Sequence, residues 1–326
     1  MAFVLDHLVH LSILVMLALS LNLINGFAGM FSLGHHGFFA VGAYAAAVVV
    51  FYGAQGSVPA GEAAVVAGSA SSILWFVASL VVGIVAAGIF GFIVGVPCLR
   101  LRGDYLAIAT LGFGEIVRIL AQNTEAVGGA RGMEVSYLLL ERDVDTQNEY
   151  ALLYAILVVA LTAVTFVFIR NLIRSRHGRS LVSIREDEVA AELVGINLAR
   201  AKLMAFVVGA AFAGLAGALY ANYMTQIEPK EFNLIKGIYI LLFVVLGGMG
   251  SLTGTIIAGF VLYVLDKIVL NLMPQEIQSL REVLFALILI ILMISRPQGL
   301  LGHKELADTR FWQRLFRRQR GLKESS

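Results

Sequence analysis

The sequence predicts an all-α, polytopic integral membrane protein of about nine transmembrane helices (eight to ten), with glycine-interrupted segments and an internal repeat. Three observations carry this prediction. Of the 326 residues, 59% are apolar and only 14% are charged, against about 25% charged in ordinary soluble domains. Long uncharged runs recur, and Ile73–Val96 exceeds the roughly 20 residues that cross about 30 Å of hydrocarbon. The basic residues cluster, with 15 of the 24 Lys and Arg in two short segments.

Hydropathy places apolar segments near 9–25, 31–52, 72–97, 104–122, 150–169, 203–226, 237–248, 252–270 and 281–295. The first, within "MAFVLDHLVHLSILVMLALSLNLIN", lacks a basic leader region and a small-residue cleavage site, so it is expected to be retained. Arg170, Arg174, Arg176, Arg179, Arg185, Arg200 and Lys202 form one basic cluster. Arg296, Lys304, Arg310, Arg314, Arg317, Arg318, Arg320 and Lys323 form the other. Cytoplasmic loops carry the excess of Lys and Arg, so both clusters and the C-terminus are predicted to be cytoplasmic. Residues 123–149 hold six acids and two bases, which suits the opposite side. Counting outward from the central cluster puts the N-terminus outside. The organisation expected is a transmembrane domain over 1–302, containing a cytoplasmic loop 171–202, followed by a basic tail 303–326. That tail, with "RFWQRLFRRQRGLK", suits anionic lipid better than nucleic acid. The single cysteine, Cys98, rules out an intramolecular disulfide and is read as packing.

Glycine accounts for 33 residues. Lipid provides no hydrophobic force between helices, so close packing depends on small residues that let backbones approach. The third span offers Ala87, Gly91 and Gly95; the sixth offers Ala210, Gly214 and Ala218, with Ala213 and Gly217 beside them. A tight bundle follows. Two richer stretches, "GFAGMFSLGHHGFFAVGAY" and "LGGMGSLTGTIIAG", share a Gly-Met-x-Ser-Leu core: Gly29, Ser32 and Gly34 in one, and Gly248, Gly250, Ser251 and Gly254, preceded by Gly247, in the other. Matching interrupted segments in the two halves predict broken helices and an internal repeat, since irregular backbone at membrane depth survives only inside protein or beside a cavity. The alternative is two ordinary interhelical turns of chance similarity.

Between the fifth and sixth spans lies a polar island, "SIREDEVAAELVGIN" (Ser183–Asn197). Ser183 and Glu186 match the S-x-x-E capping box, which predicts a helix N-capped by Ser183. Glu186, Asp187 and Glu188 then complement the helix dipole. Val189, Leu193 and Ile196 form a narrow apolar stripe, and Gly195 stands where a left-handed residue would end the helix. About three turns are expected. Such a stripe needs cover, either the lipid headgroups or a cytoplasmic protein, and its carboxylate-rich exposed face favours the protein.

His35 and His36 are adjacent and do not share a helix face, so helix-break packing or pathway lining is preferred to metal binding. Glu115 and Arg118, three apart within a span, predict an ion pair facing the bundle interior, structural or on a solute route. No G-x-x-x-x-G-K-[ST] motif occurs, so the chain carries no P-loop of its own. Nothing resembles a catalytic constellation, so an enzyme is not expected. An ion-coupled secondary transporter would carry more embedded carboxylates than Glu115 and Asp266, and would have no use for a capped cytoplasmic helix.

The stretch "GRSLVSIREDEVAAELVGINLARAKLMAFVVGAAFAGLAGALYA" (178–221) resembles the inner-membrane permease subunits of branched-chain amino acid ABC importers, and more narrowly their M-type subunit. "LNLINGFAGMFSLGHHGFFAVGAYAAA", "LRLRGDYLAIATLGFGEIVRILAQN", "LGGMGSLTGTIIAG" and "RPQGLLG" agree in the expected order. "GGARGM" is similar to a further family segment, from which Arg131 departs. The resemblance implies a heterodimer with a second permease subunit, two P-loop ATPase subunits in trans that hold ATP and Mg²⁺, and a periplasmic solute-binding protein. No cofactor is implied for this chain. The resemblance also implies a bacterial inner-membrane location, and a solute that is a branched-chain or other hydrophobic amino acid, with urea, short amides or aromatic acids as alternatives. On it the island is the coupling helix, with Glu186, Asp187, Glu188, Val189, Ala190, Ala191, Glu192, Leu193, Gly195 and Ile196 as ATPase contacts.

Overall fold

A computed structural model describes residues 2–55, 70–101, 103–135, 147–224 and 226–269, together with 287, 290, 291, 294 and 299. Ten α-helices follow one another there: α1 (Ala2–Asn22), α2 (His35–Val48), α3 (Ala70–Cys98), α4 (Asp104–Asn123), α5 (Gln147–Arg174), α6 (Arg176–Glu186), α7 (Glu188–Leu193), α8 (Leu198–Tyr223), α9 (Leu234–Gly247) and α10 (Leu252–Val264). Two short strands, β1 (Met133–Glu134) and β2 (Gln226–Ile227), pair antiparallel and join the two loops at one end of the bundle.

Among the described residues, five stretches are long and apolar enough to cross a membrane: Phe3–Phe27, His35–Gly53, Ser72–Cys98, Ala151–Arg174 and Leu198–Tyr223. The other three apolar segments that fall on described helices belong to α4, which carries Glu115 and Arg118, and to the shorter α9 and α10. The ninth, 281–295, lies almost wholly outside the described residues, and the tail 303–326 does so entirely.

The centre of the bundle is α8, packed against α1, α2 and α3. Its small-residue stripe lets them approach, as expected in lipid. A Cβ on Gly91 would lie 2.6 Å from that of Ala210, and one on Gly42 would strike the backbone of Gly214. The stripes predicted on the third and sixth spans therefore face each other, and α2 closes on the same patch. α8 has 26 residues, about 39 Å at 1.5 Å per residue. The Tyr223 hydroxyl at its far end donates to Asp6 of α1 at 2.5 Å. The N-terminal turns of α1 and the polar island thus sit at opposite ends of α8.

Both glycine-rich stretches interrupt helices. A π-helical turn (Leu23–Phe27) extends α1, after which the chain leaves helical geometry until His35, with Gly29 at φ +66°. α9 stops at Gly247, Gly248 adopts φ +104° and Gly250 φ +90°, and α10 starts at Leu252. Residues with a Cβ rarely adopt such angles, which accounts for glycine at these sites. The likeness is partial. Ser251 Oγ accepts from Gly254 N at 3.1 Å and caps α10. Ser32 caps nothing: its N–H donates to Asn25 Oδ1 and its carbonyl accepts from Asn25 Nδ2, both at 3.1 Å.

Candidate coupling site

The polar island is two helices rather than one, and the predicted capping box is incorrect. Ser183 lies inside α6, where its hydroxyl donates to the Arg179 carbonyl at 3.1 Å. The burial of Leu181 and Ile184 carries α6 through Ser183 as far as Glu186. Asp187, in extended geometry, breaks the chain and caps α7, its Oδ1 accepting from Val189 N at 2.8 Å and Ala190 N at 3.0 Å. The stop signal is placed as expected. Gly195 adopts φ +85°, with Gly195 N donating to Glu192 O at 2.9 Å and Ile196 N to Ala191 O at 3.1 Å. That is the Schellman pattern.

Two of the island's glutamates have partners within the chain. Glu186 Oε1 pairs with Arg185 at 2.6 Å and Glu188 Oε1 with Lys202 of α8 at 2.5 Å. Ala191 is buried against the bundle, Ala190 and Glu192 face outward, and Ile196 is half-buried. Leu193 (83% exposed), Val194 (76%) and Val189 (68%) form an apolar patch on the outer face. Val194 was not anticipated from the sequence. Isolated exposed apolar residues are common, whereas here three lie together on a short capped helix.

Arg185, also not anticipated, joins this island to the first helix break. Its Nη1 donates to the Gly26 carbonyl at 3.0 Å, and its side chain lies against Gly29, where a Cβ would come within 2.9 Å of Arg185 Cγ. The two breaks are in turn joined by Asn22. Its Nδ2 donates to Ser251 O at 3.0 Å and Thr255 Oγ1 at 2.8 Å, while its Oδ1 accepts from Gly250 N at 2.9 Å. Gly299, from "RPQGLLG", lies against the Gly248 backbone at the same place. Gly247 and Gly254 pack backbone to backbone. A continuous set of contacts therefore runs from α7 through α6 and Arg185 to both interruptions.

Beside the first break, Ser20 Oγ bonds His35 Nε2 at 2.7 Å and the Leu33 carbonyl meets His36 Nδ1 at 3.1 Å. The His36 ring sits between Gly114 of α4 and Gly237 of α9, where a Cβ on either would collide with it. Arg118 Nε donates to Glu115 Oε2 at 2.7 Å, forming the predicted pair, and Glu115 Oε1 lies 3.9 Å from His36 Nε2. The structure thus gathers His36, Glu115 and Arg118. Gly34 packs on the Thr110 backbone beside them. Three buried polar atoms here, Ser32 Oγ, His35 Nδ1 and His36 Nε2, lack a hydrogen-bond partner among the described residues. Native interiors hold few such groups.

Residues 3–293 match the family described as branched-chain amino acid transport system / permease component. The chain belongs to that family. Among curated proteins, this permease is 38% identical over 237 residues to the high-affinity branched-chain amino acid transport system permease protein LivM of Escherichia coli (strain K12), covering 66% of this chain and 55% of that one. The Salmonella typhimurium LivM is 38% identical over 233 residues, covering 65% and 54%. The permease protein LivH of Escherichia coli (strain K12) is 33% identical over 156 residues, 48% of each chain. The permease is thus of the LivM type and spans about half the length of the LivM relatives it matches. No solved structure matches it.

Proposed function

We propose that this permease is one of the two membrane-spanning subunits of an ATP-driven importer of branched-chain amino acids in a bacterial inner membrane. Relatives of both the LivM and LivH types support a heterodimer with a second permease subunit. One of two P-loop ATPases docks on α7, the pair hold the ATP and Mg²⁺, and a periplasmic binding protein delivers the solute to the opposite face. The C-terminus is cytoplasmic. The observation that carries this proposal is the path from the exposed patch of α7 to the glycine breaks through Arg185. Closure of the ATPases moves α7 and α6 together, and Arg185 transmits the displacement to the Gly26 carbonyl. The breaks, joined by Asn22, then shift as a unit and open the route beside His36 and Glu115.

The assembled importer in proteoliposomes tests this with two variants. Val189→Asp with Leu193→Asp spares the Glu188–Lys202 pair, and is expected to abolish ATPase association and leucine uptake together. Arg185→Ala is expected to retain the ATPases and basal hydrolysis while uptake falls at least about fivefold, the scale of a typical coupling free energy. Normal association and uptake in the first variant would overturn the docking surface.

A further inference from the structure

Lys236 stands in the first turn of α9, a helix whose remaining residues carry no charge. α9 has 14 residues, about 21 Å, and its last glycine packs on Gly254 at the second break. A helix that short does not cross about 30 Å of hydrocarbon by itself. Gly237, the next residue, touches the His36 ring at the start of α2, which places this turn at the same depth. A cation held inside a membrane bundle marks a functional site unless a counter-charge explains it.

Among the described residues no carboxylate comes within 4 Å of the Lys236 ammonium. It lies instead over three rings, 4.5 Å from the centre of Tyr220, 5.4 Å from Phe39 and 5.9 Å from Phe232. The nearby carboxylate, Glu231, accepts from the Tyr220 hydroxyl. Tyr44, 8% exposed and with its ring 5.6 Å from that of Phe232, has a hydroxyl without a hydrogen-bond partner among the described residues. The Lys236 ammonium and the first turn of α9, whose Lys236 N–H donates to Asn233 Oδ1 at 2.9 Å, lie beside an apolar aromatic wall to which the Tyr44 ring also belongs. Glu231 acts on Lys236 only from beyond contact distance, and half-helix N-termini inside transporters face anionic groups.

We infer that the first turn of α9 is a binding site for the carboxylate end of an apolar α-amino acid. Lys236 and the Tyr44 hydroxyl hold the carboxylate. The charge of Glu231 accommodates the solute's ammonium, and Phe232 lies along its side chain. Urea and simple amides offer Lys236 a neutral carbonyl oxygen but no negative charge. The site rests on the proposal that the chain carries amino acids and names the end of the solute it reads.

Ligand binding is tested on the purified importer complex without its binding protein, so that selection by that protein does not enter, and uptake is measured in proteoliposomes with the binding protein added. Thermal midpoints are measured with millimolar L-leucine or L-leucinamide, since a ligand that binds the folded state raises the midpoint. Leucine is expected to raise the midpoint of wild type and Lys236→Arg, and leucinamide to raise neither. Lys236→Gln is expected to lose the midpoint response to leucine and to take up leucine about tenfold more slowly, the loss of one charge-assisted hydrogen bond. Tyr44→Phe, a smaller change, is expected to weaken the leucine response without altering assembly, which keeps the test decisive if Lys236→Gln does not assemble. A full leucine response in Lys236→Gln or Tyr44→Phe, or an equal response to leucinamide, overturns the site while leaving the importer function standing. A wild-type complex that takes up no leucine overturns the function, and the inference with it.

Discussion

Asn22 lies in an apolar run of α1, yet its amide engages three groups on the second break, 228 to 233 residues away. Thr255 also bonds Ser251 O, so loss of the Asn22 side chain leaves the Gly250 N–H as the unsatisfied group. A buried orphan costs about 1–3 kcal/mol. Asn22→Ala is therefore expected to lower the stability of the purified complex by that amount, read as a reduced denaturation midpoint. An unchanged midpoint would mean that the breaks are joined some other way. Only its polarity in an apolar stretch marked this residue in the sequence. Which atoms it would meet was set by the approach of α1 to α10.

The island shows how an element boundary moves. Ser183 and Asp187 are both good N-cap residues, and the S-x-x-E spacing favoured Ser183. Burial of Leu181 and Ile184 continues α6 past Ser183, leaving Asp187 to break the chain and cap α7. Asp187→Ala is expected to cost about 1 kcal/mol locally, seen as faster hydrogen exchange at Val189 and Ala190. Ser183→Ala should stay within about 0.5 kcal/mol of wild type, as for a surface position away from special features. The reverse order would restore the capping box. The C-terminal stop was legible, because Gly195 meets a local requirement for positive φ that no tertiary contact alters.

At the scale of the whole molecule, the exposed faces differ in kind. α3 and α5 present uninterrupted apolar surface, including Ile93 (58% exposed) and Leu153 (58%), suited to lipid. α4 exposes Ile108, Ile116 and Ile119 beside the Glu115–Arg118 pair, whose side chains are 27% and 25% exposed. Intramembrane charges are costly against hydrocarbon and face protein or water. A lipid-phase photoreactive label is therefore expected to mark Ile93 and Leu153 in the assembled importer but not Ile116 or Ile119. Equal labelling of α4 would place that helix against lipid.

The sequence by itself determined the membrane class, the helical segments within reach of description, the two glycine breaks and the polar island between spans. These follow from hydropathy, backbone sterics and charge, which act over a few residues and need no knowledge of neighbours. The tertiary structure decided the partners: Arg185 with Gly26 across 159 residues, Asn22 with the second break, His36 with Glu115, and Lys236 with its rings. It also decided where α6 ends. Hydrogen bonds and ring contacts need their atoms within a few ångströms, and only the packing of small-residue stripes around α8 brings these distant positions that close.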